Sequence, residues 1–136
     1  MRAWWILLAL CSNLAIAASL EVAAGRTGLF FVDGFVGAAP LRLLIDTGAD
    51  GVTIPRTVAN QAGEYGGCKW VRKMTANGPI DLCQRRVASL RFGPFTFKDW
   101  PVTITTDESV PSGLIGTDIL RLMTIEMAKD KMRLSM

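Results

Sequence analysis

The run Leu41-Arg42-Leu43-Leu44-Ile45-Asp46-Thr47-Gly48-Ala49-Asp50-Gly51 decides how this chain is read. Its first five residues are apolar apart from one arginine, the pattern of a strand buried on both faces. The strand runs straight into a carboxylate. Asp46 then lies at the edge of a core, where ionisation is costly unless the group is paired. Gly48 permits a tight turn, and the small residues around it leave room above the carboxylate. Taken alone, Asp46-Thr47-Gly48 fits two readings. One is an Asx turn closing a strand end; the other is a carboxylate held for acid–base chemistry.

Working outward, Leu29 to Val36 reads as a strand, and Gly37-Ala38-Ala39-Pro40 as the turn into the Leu41 run. Val52-Thr53-Ile54 is a short strand stopped by Pro55, and Thr57 to Ala62 makes one helical turn or two before Gly63. Asn77-Gly78 between Lys69–Met74 and Ile80–Val87 is a hairpin signal. Gly93-Pro94 joins Leu90–Phe92 to Phe95–Phe97 in another hairpin. Val102–Thr105 reads as a strand, Asp107 to Gly113 as a loop, and Leu114-Ile115 as a short strand ending at Gly116. Either Thr117 or Asp118 caps a short helix through Met123. Thr124–Met127 and Met132–Met136 flank a polar turn. About nine short strands and at most two short helices make one mostly β domain.

Composition narrows the chemistry. The 136 residues amount to a single domain, and a chain that is 50% hydrophobic is not a disordered one. The 15 Lys and Arg exceed the 12 Asp and Glu only slightly, and they are scattered, so no nucleic-acid partner is expected. There is no His. That removes Ser-His-Asp and Cys-His catalysis and His-ligated metal sites together. Carboxylates, thiols, lysines and hydroxyls remain, and no metal or cofactor is expected.

Arg2 precedes an uncharged run from Ala3 to Leu20, with Ala15-Ile16-Ala17 matching a cleavage pattern. Residues 1–17 read as a signal peptide; the competing reading is an uncleaved membrane anchor. The run is at the short limit for a span and is interrupted by Ser12 and Asn13. The expectation is an exported domain over 18–136, periplasmic or otherwise extracytoplasmic, membrane-attached only if the segment is retained. Cleavage leaves Cys68 and Cys83, either disulfide-bonded or two separate buried thiols.

The ordered set of motifs resembles the retropepsin-like aspartic peptidases. In that family an apolar strand ends in Asp-Thr-Gly-Ala, here Ile45 to Ala49; a flap hairpin follows, here around Thr75-Ala76-Asn77-Gly78. Two apolar residues, a Gly and a short helix come near the C-terminus, here Leu114-Ile115-Gly116 and then Thr117 to Leu120. The resemblance covers residues 28 to 136, and the export signal is most like the small bacterial members. It implies an acid-protease barrel with a flap hairpin and one short C-terminal helix, one lobe per chain.

The resemblance also implies an aspartic endopeptidase acting on a peptide or protein substrate, with Asp46 as the catalytic carboxylate. The chemistry needs two carboxylates sharing one proton. One chain supplies one Asp-Thr-Gly, so the implied enzyme is a homodimer in which Asp46 faces its symmetry mate. Thr47 would brace the two loops across the dimer, and Gly48 would give the turn and a carbonyl toward substrate. Ala49 and Asp50 would line the cleft. Asp50 would hold substrate main chain, or else serve as a plain turn residue. Ala76, Asn77 and Gly78, within the flap from Met74 to Ile80, would close over the peptide. Gly116 would pack beneath the active-site loop.

Retroviral members carry an Arg directly after the Gly of the C-terminal motif; here it is Thr117, so the salt bridge from that Arg to the position of Asp50 is absent. Pro79 stiffens the flap and removes one donor. Folding the flap about Ala76-Asn77 brings Cys68 opposite Arg85, one diagonal step from Cys83, which favours a disulfide at the flap base. The last strand pairs either across the dimer or within one subunit. Trp70 and Trp100 read as packing residues, and Met74, Met123, Met127 and Met132 as core or interface filler. A cleft lined by Val52, Ile54, Ile80 and Ile115 would favour apolar side chains, and a shared-proton dyad implies an acidic to mildly acidic optimum. Two other functional readings stand beside this one: a catalytically silent peptide-binding module of the same fold, and a membrane-anchored β domain with a structural role.

Overall fold

A computed structural model describes residues 16–75, 77–106 and 112–136. The segment read as signal or anchor lies outside the described residues except for Ile16 and Ala17. So do Ala76 of the hairpin turn and residues 107–111 of the loop.

The described strands are β1 (Ser19–Ala23), β2 (Phe31–Val36), β3 (Ala39–Ile45), β4 (Val52–Pro55), β5 (Lys69–Thr75), β6 (Gly78–Phe92), β7 (Phe95–Thr105), β8 (Gly113–Ile115), β9 (Thr124–Met127) and β10 (Lys131–Ser135). Two short helices are α1 (Arg56–Gln61) and α2 (Thr117–Leu120). Strands β2-β3-β8-β4-β7-β6 pair in that order, and β6 returns to β2, which closes a six-stranded barrel. β5 stands outside the ring and pairs with β6 from Lys69↔Gln84 to Thr75↔Gly78. A second sheet, β1-β10-β9, joins the two ends of the chain. The fold is mostly β and forms one domain, a closed barrel with a flap hairpin, as expected.

Side-chain alternation builds the barrel wall. In β2, Val32, Gly34 and Val36 point inward, while Asp33 and Phe35 face out. Gly34 is required: a Cβ there would lie 2.5 Å from the Arg91 carbonyl oxygen of the neighbouring strand. In β3, Leu41, Leu43 and Ile45 are buried, Arg42 is exposed and Leu44 is half-buried. The expectation of a strand buried on both faces is therefore corrected: Arg42 lies outside, over the Phe31 ring at 4.6 Å. The turn before it is shorter than expected, because Ala39 and Pro40 already pair with Val36 and Phe35. Proline is tolerated there because β8 flanks β3 only from Leu43 to Ile45, leaving no ladder bond for the missing N–H.

The runs around Val87 and Leu90 form one strand, β6, rather than two. β7 likewise runs through Pro101 without a break. Leu43, Ile54, Leu90, Phe92, Ile104 and Ile115 are fully buried within one cluster, and Phe92 lies against the rings of Phe95 and Phe97. Met132 and Leu134 of β10 join the same cluster, so the terminal sheet shares the barrel's core. β10 is the middle strand of that sheet within one subunit, and β1 and β9 form its edges.

α2 is shorter than expected. It ends at Leu120, and the N–H groups of Leu122 and Met123 turn back to the carbonyls of Ile119 and Leu120. Its N-cap is Gly116, with no side-chain cap, so neither Thr117 nor Asp118 plays that role. No helix among the described residues is long and apolar enough to cross a membrane.

Candidate active site

β3 and β8 run parallel, with Ile45 opposite Ile115, and both end at the same level. The Asp46 N–H donates to the Ile115 carbonyl at 3.0 Å, which fixes the residue to the end of β8. The chain then turns back on itself. The Gly48 N–H donates to Asp46 Oδ1 at 2.8 Å, and the Ala49 N–H donates to the Asp46 carbonyl at 3.2 Å. Such a bond closes any Asx turn. What distinguishes this turn is the way it is seated. The Thr117 N–H donates to the Ala49 carbonyl at 2.9 Å. A Cβ on Gly116 would lie 2.5 Å from both the nitrogen and the oxygen of Gly51, and 2.8 Å from the Ala49 oxygen. The loop therefore rests directly on the Gly116 backbone.

Asp46 is half-buried, and Thr47 and Gly48 are exposed. Among the described residues, Asp46 Oδ2 and the Thr47 hydroxyl have no hydrogen-bond partner. One carboxylate oxygen is thus fixed in direction and the other is open.

Ala49 is half-buried in the seat of the loop. Asp50 is exposed and pairs with Lys73 of β5, Nζ lying 3.3 and 3.4 Å from its two oxygens. The cation facing Asp50 comes from the flap strand of the same subunit, where retroviral members were expected to use an Arg at the position of Thr117. Sequence reading missed Lys73, because 23 residues separate the pair and only the hairpin's path joins them.

The flap hairpin is held at three points. Thr75 pairs with Gly78 at the tip, where Gly78 has φ +105°, and Asn77 is an exposed turn residue. In mid-hairpin, the Arg72 Nε and Nη2 donate to Asp81 at 2.8 and 2.9 Å. The hydrogen bond from Arg72 holds the Asp81 carboxyl below its usual value, and Asp81 raises the guanidinium in turn. At the base, Cys68 and Cys83 form a disulfide with a Cα–Cα distance of 4.9 Å.

Trp100 packs edge-on against Phe97, and its indole N–H donates to Asp118 Oδ2 at 2.9 Å. Asp118 Oδ1 accepts from the Ile119 N–H at 2.8 Å. Trp70 departs from the expected packing role: it is 58% exposed on β5. Met132 is core, whereas Met74 and Met127 are exposed. The expected apolar cleft is corrected at two of its four residues, Ile54 and Ile115. Ile54 and Ile115 are fully buried in the barrel core, and Ile80 lies exposed on the flap. The space beside the loop is instead a cavity of about 640 Å³ bordered by Asp50, Val52, Lys69, Lys73, Arg85 and Asp118, among others.

A family model described as aspartyl protease matches residues 32–119, more than half of the chain. The chain belongs to this aspartyl protease family. The matched region begins in β2 and ends in α2, so it contains the barrel, the Asp46 loop, the flap and the Gly116 seat. The fold of this aspartyl protease is also that of a solved retropepsin-like aspartic protease from Rickettsia conorii. The two agree with a TM-score of 0.73 over 88% of this chain and 92% of that one, at 20% identity. None of the curated proteins compared with it is a significant match.

Proposed function

We propose that this aspartyl protease is an exported endopeptidase that works as a homodimer, with Asp46 of each subunit forming the catalytic pair. One observation carries the reading. Each chain offers a single half-buried carboxylate, fixed through Oδ1 by the Gly48 N–H and open at Oδ2, on a loop seated against Gly116. Peptide hydrolysis by carboxylates needs a second such group within reach, and a symmetry mate supplies it. The ionised carboxylate takes a proton from water, and the oxygen attacks the scissile carbonyl carbon. The protonated partner gives its proton to the carbonyl oxygen, forming a gem-diol. As the gem-diol collapses, the now ionised carboxylate takes a hydroxyl proton from it, the C–N bond breaks, and the departing nitrogen takes the proton held by the other carboxyl group, which leaves the dyad with one proton again.

Several features support the dimer. Thr47, next to Asp46 in the chain, is exposed and its hydroxyl has no partner among the described residues, and the terminal sheet ends in the edge strands β1 and β9. Leu122 and Met127 are exposed on the segment leading into that sheet and at its edge. Export is supported by the apolar segment of residues 1–17 and by the Cys68–Cys83 disulfide, which suits an oxidising compartment. The peptide-substrate role of Asn77 and Gly78 belongs to this proposal, as does that of Ala76.

The test is cleavage of a diverse peptide library between pH 3 and 7 by the wild type and by Asp46→Asn, with the solution mass of each measured alongside. Cleavage by the wild type alone, following the dimer fraction, is the expected result. A confirmed dimer that binds peptides but never cuts them would instead identify a silent binding module.

A further inference from the structure

We infer that the cavity beside the Asp46 loop selects an acidic side chain of the peptide, read by Lys69 and Lys73. The inference rests on the peptidase reading and goes beyond it by naming the substrate class. The cavity, about 640 Å³, is in the size range of ligand sites. Asp50 and Gly51, in the same loop as Asp46, are among its lining residues, so the cavity adjoins the loop that carries the carboxylate. Its wall carries six charged residues: Lys69, Lys73, Arg85, Arg86, Asp50 and Asp118.

Most of these charges already have partners. Arg85 Nη2 meets Glu64 at 2.7 Å, its Nη1 donates to the Gly66 carbonyl, and both side chains of the ion pair are largely buried. Arg86 meets Asp99 at 3.0 Å. Both oxygens of Asp118 accept hydrogen bonds, from Trp100 and from the Ile119 N–H. These groups build the wall. Two cations remain for a ligand. Lys69 has no charged or hydrogen-bonded partner among the described residues. Lys73 reaches Asp50 only at 3.3 Å and beyond, with the Asp50 side chain 87% exposed, a pairing worth little in water and easily exchanged. Lys69 and Lys73 stand four residues apart on β5, so both project from one face of the strand. Both line the cavity, so the balance there, two ammonium groups against the Asp50 carboxylate once the paired wall charges are set aside, is positive.

The readout is the ratio of kcat/KM for peptides bearing Glu to that for matched peptides bearing Gln. It is taken at pH 6, where a substrate carboxyl is ionised. Protein from the full-length chain is used as wild type, Lys69→Glu and Lys69→Ala/Lys73→Ala, each checked for native circular dichroism. The wild type is expected to favour Glu at a fixed position from the cut by about three- to tenfold, less so at high salt. The double alanine variant is expected to lose the preference, and Lys69→Glu to shift it toward Lys or Arg. Wild-type cleavage indifferent to Glu, or a preference unchanged in both variants, would overturn the inference. In parallel, binding of the same Glu and Gln peptides to the Asp46→Asn protein is measured. If the wild type never cuts, the peptidase reading fails, and this second arm still decides the cavity. Tighter Glu binding that both variants abolish upholds it, and equal binding of the two peptides rejects it.

Discussion

At Gly116 there is no room for even one carbon. A Cβ would meet the Gly51 backbone at 2.5 Å on two atoms, and neither belongs to a flexible side chain that can step aside. Gly116→Ala must therefore lift the loop that carries Asp46. Overpacking of this kind costs about 1–3 kcal/mol, and a displacement near 1 Å at a reacting group costs about 100-fold in rate. The variant is expected to unfold at lower denaturant and to lose cleavage by at least that factor. Unaltered cleavage by a folded Gly116→Ala protein would show that the seat does not position the loop. The same reasoning makes Asp46→Asn a clean deletion of chemistry, because the amide oxygen still accepts the Gly48 N–H and the fold has little to lose. A loss of over about 1,000-fold in kcat is expected, with a denaturation midpoint within error of wild type.

Asp46, Gly48 and Gly116 were legible in the sequence because each belongs to a short local pattern whose geometry follows from residue type. Lys73 and Lys69 were not. A lysine on an exposed strand carries no local signal, and its meaning depends on which loop the hairpin folds against. The apolar cleft was misread for the same reason. Ile54 and Ile115 alternate correctly for a strand, but alternation does not say which side of a closed barrel is the core.

Among the elements, the flap has little support, since β5 stands outside the barrel and pairs along one edge only. Its base is fixed by the disulfide, closing a loop with a sequence separation of 15. In the chain-entropy model such a loop contributes about 3 kcal/mol. Reduction, or Cys68→Ala with Cys83→Ala, is expected to lower the unfolding free energy by about that amount, read from urea denaturation with and without reductant. An unchanged midpoint would mean that the bond adds nothing to the barrel. Farther out, the Arg72–Asp81 pair titrates. Asp81 is held below its ordinary value by the Arg72 hydrogen bond, so the pair's contribution is complete above the ordinary carboxylate pKa and is lost as pH falls through the lowered one. Both groups are at the surface, so the effect on global stability is small. The expected signature is local: β5 amides lose protection, measured against their intrinsic exchange rates, as pH falls below the ordinary carboxylate range, and Asp81→Asn, which lacks the pair at every pH, shows no such change. Hairpin partners were legible from Asn77-Gly78 and Gly93-Pro94. β1 was not, because Ser19 to Ala23 is a short mixed run that pairs with β10, at the opposite end of the chain.

At the scale of the whole molecule, the question is whether one chain or two make the catalytic unit. Mixing decides it without any new structure. Suppose that wild type and Asp46→Asn chains are unfolded together in equal amounts and refolded so that subunits pair at random. Roughly half of the wild-type chains then sit opposite an Asn partner in a C2 dimer. A mixed pair has one carboxyl group where the reaction needs both a proton acceptor and a proton donor, so it is inactive. Activity per wild-type chain is therefore expected to fall to roughly half of that of wild type refolded alone at the same total concentration, and further as Asp46→Asn is added in excess. A catalytic monomer would be indifferent to the mutant at any ratio. Dilution supplies the converse. If the pair dissociates at low concentration, specific activity should fall with dilution and recover on concentration, following the mass of the species in solution. Poisoning by the mutant and loss on dilution, seen together, would place both halves of the reaction on two copies of the Asp46 loop.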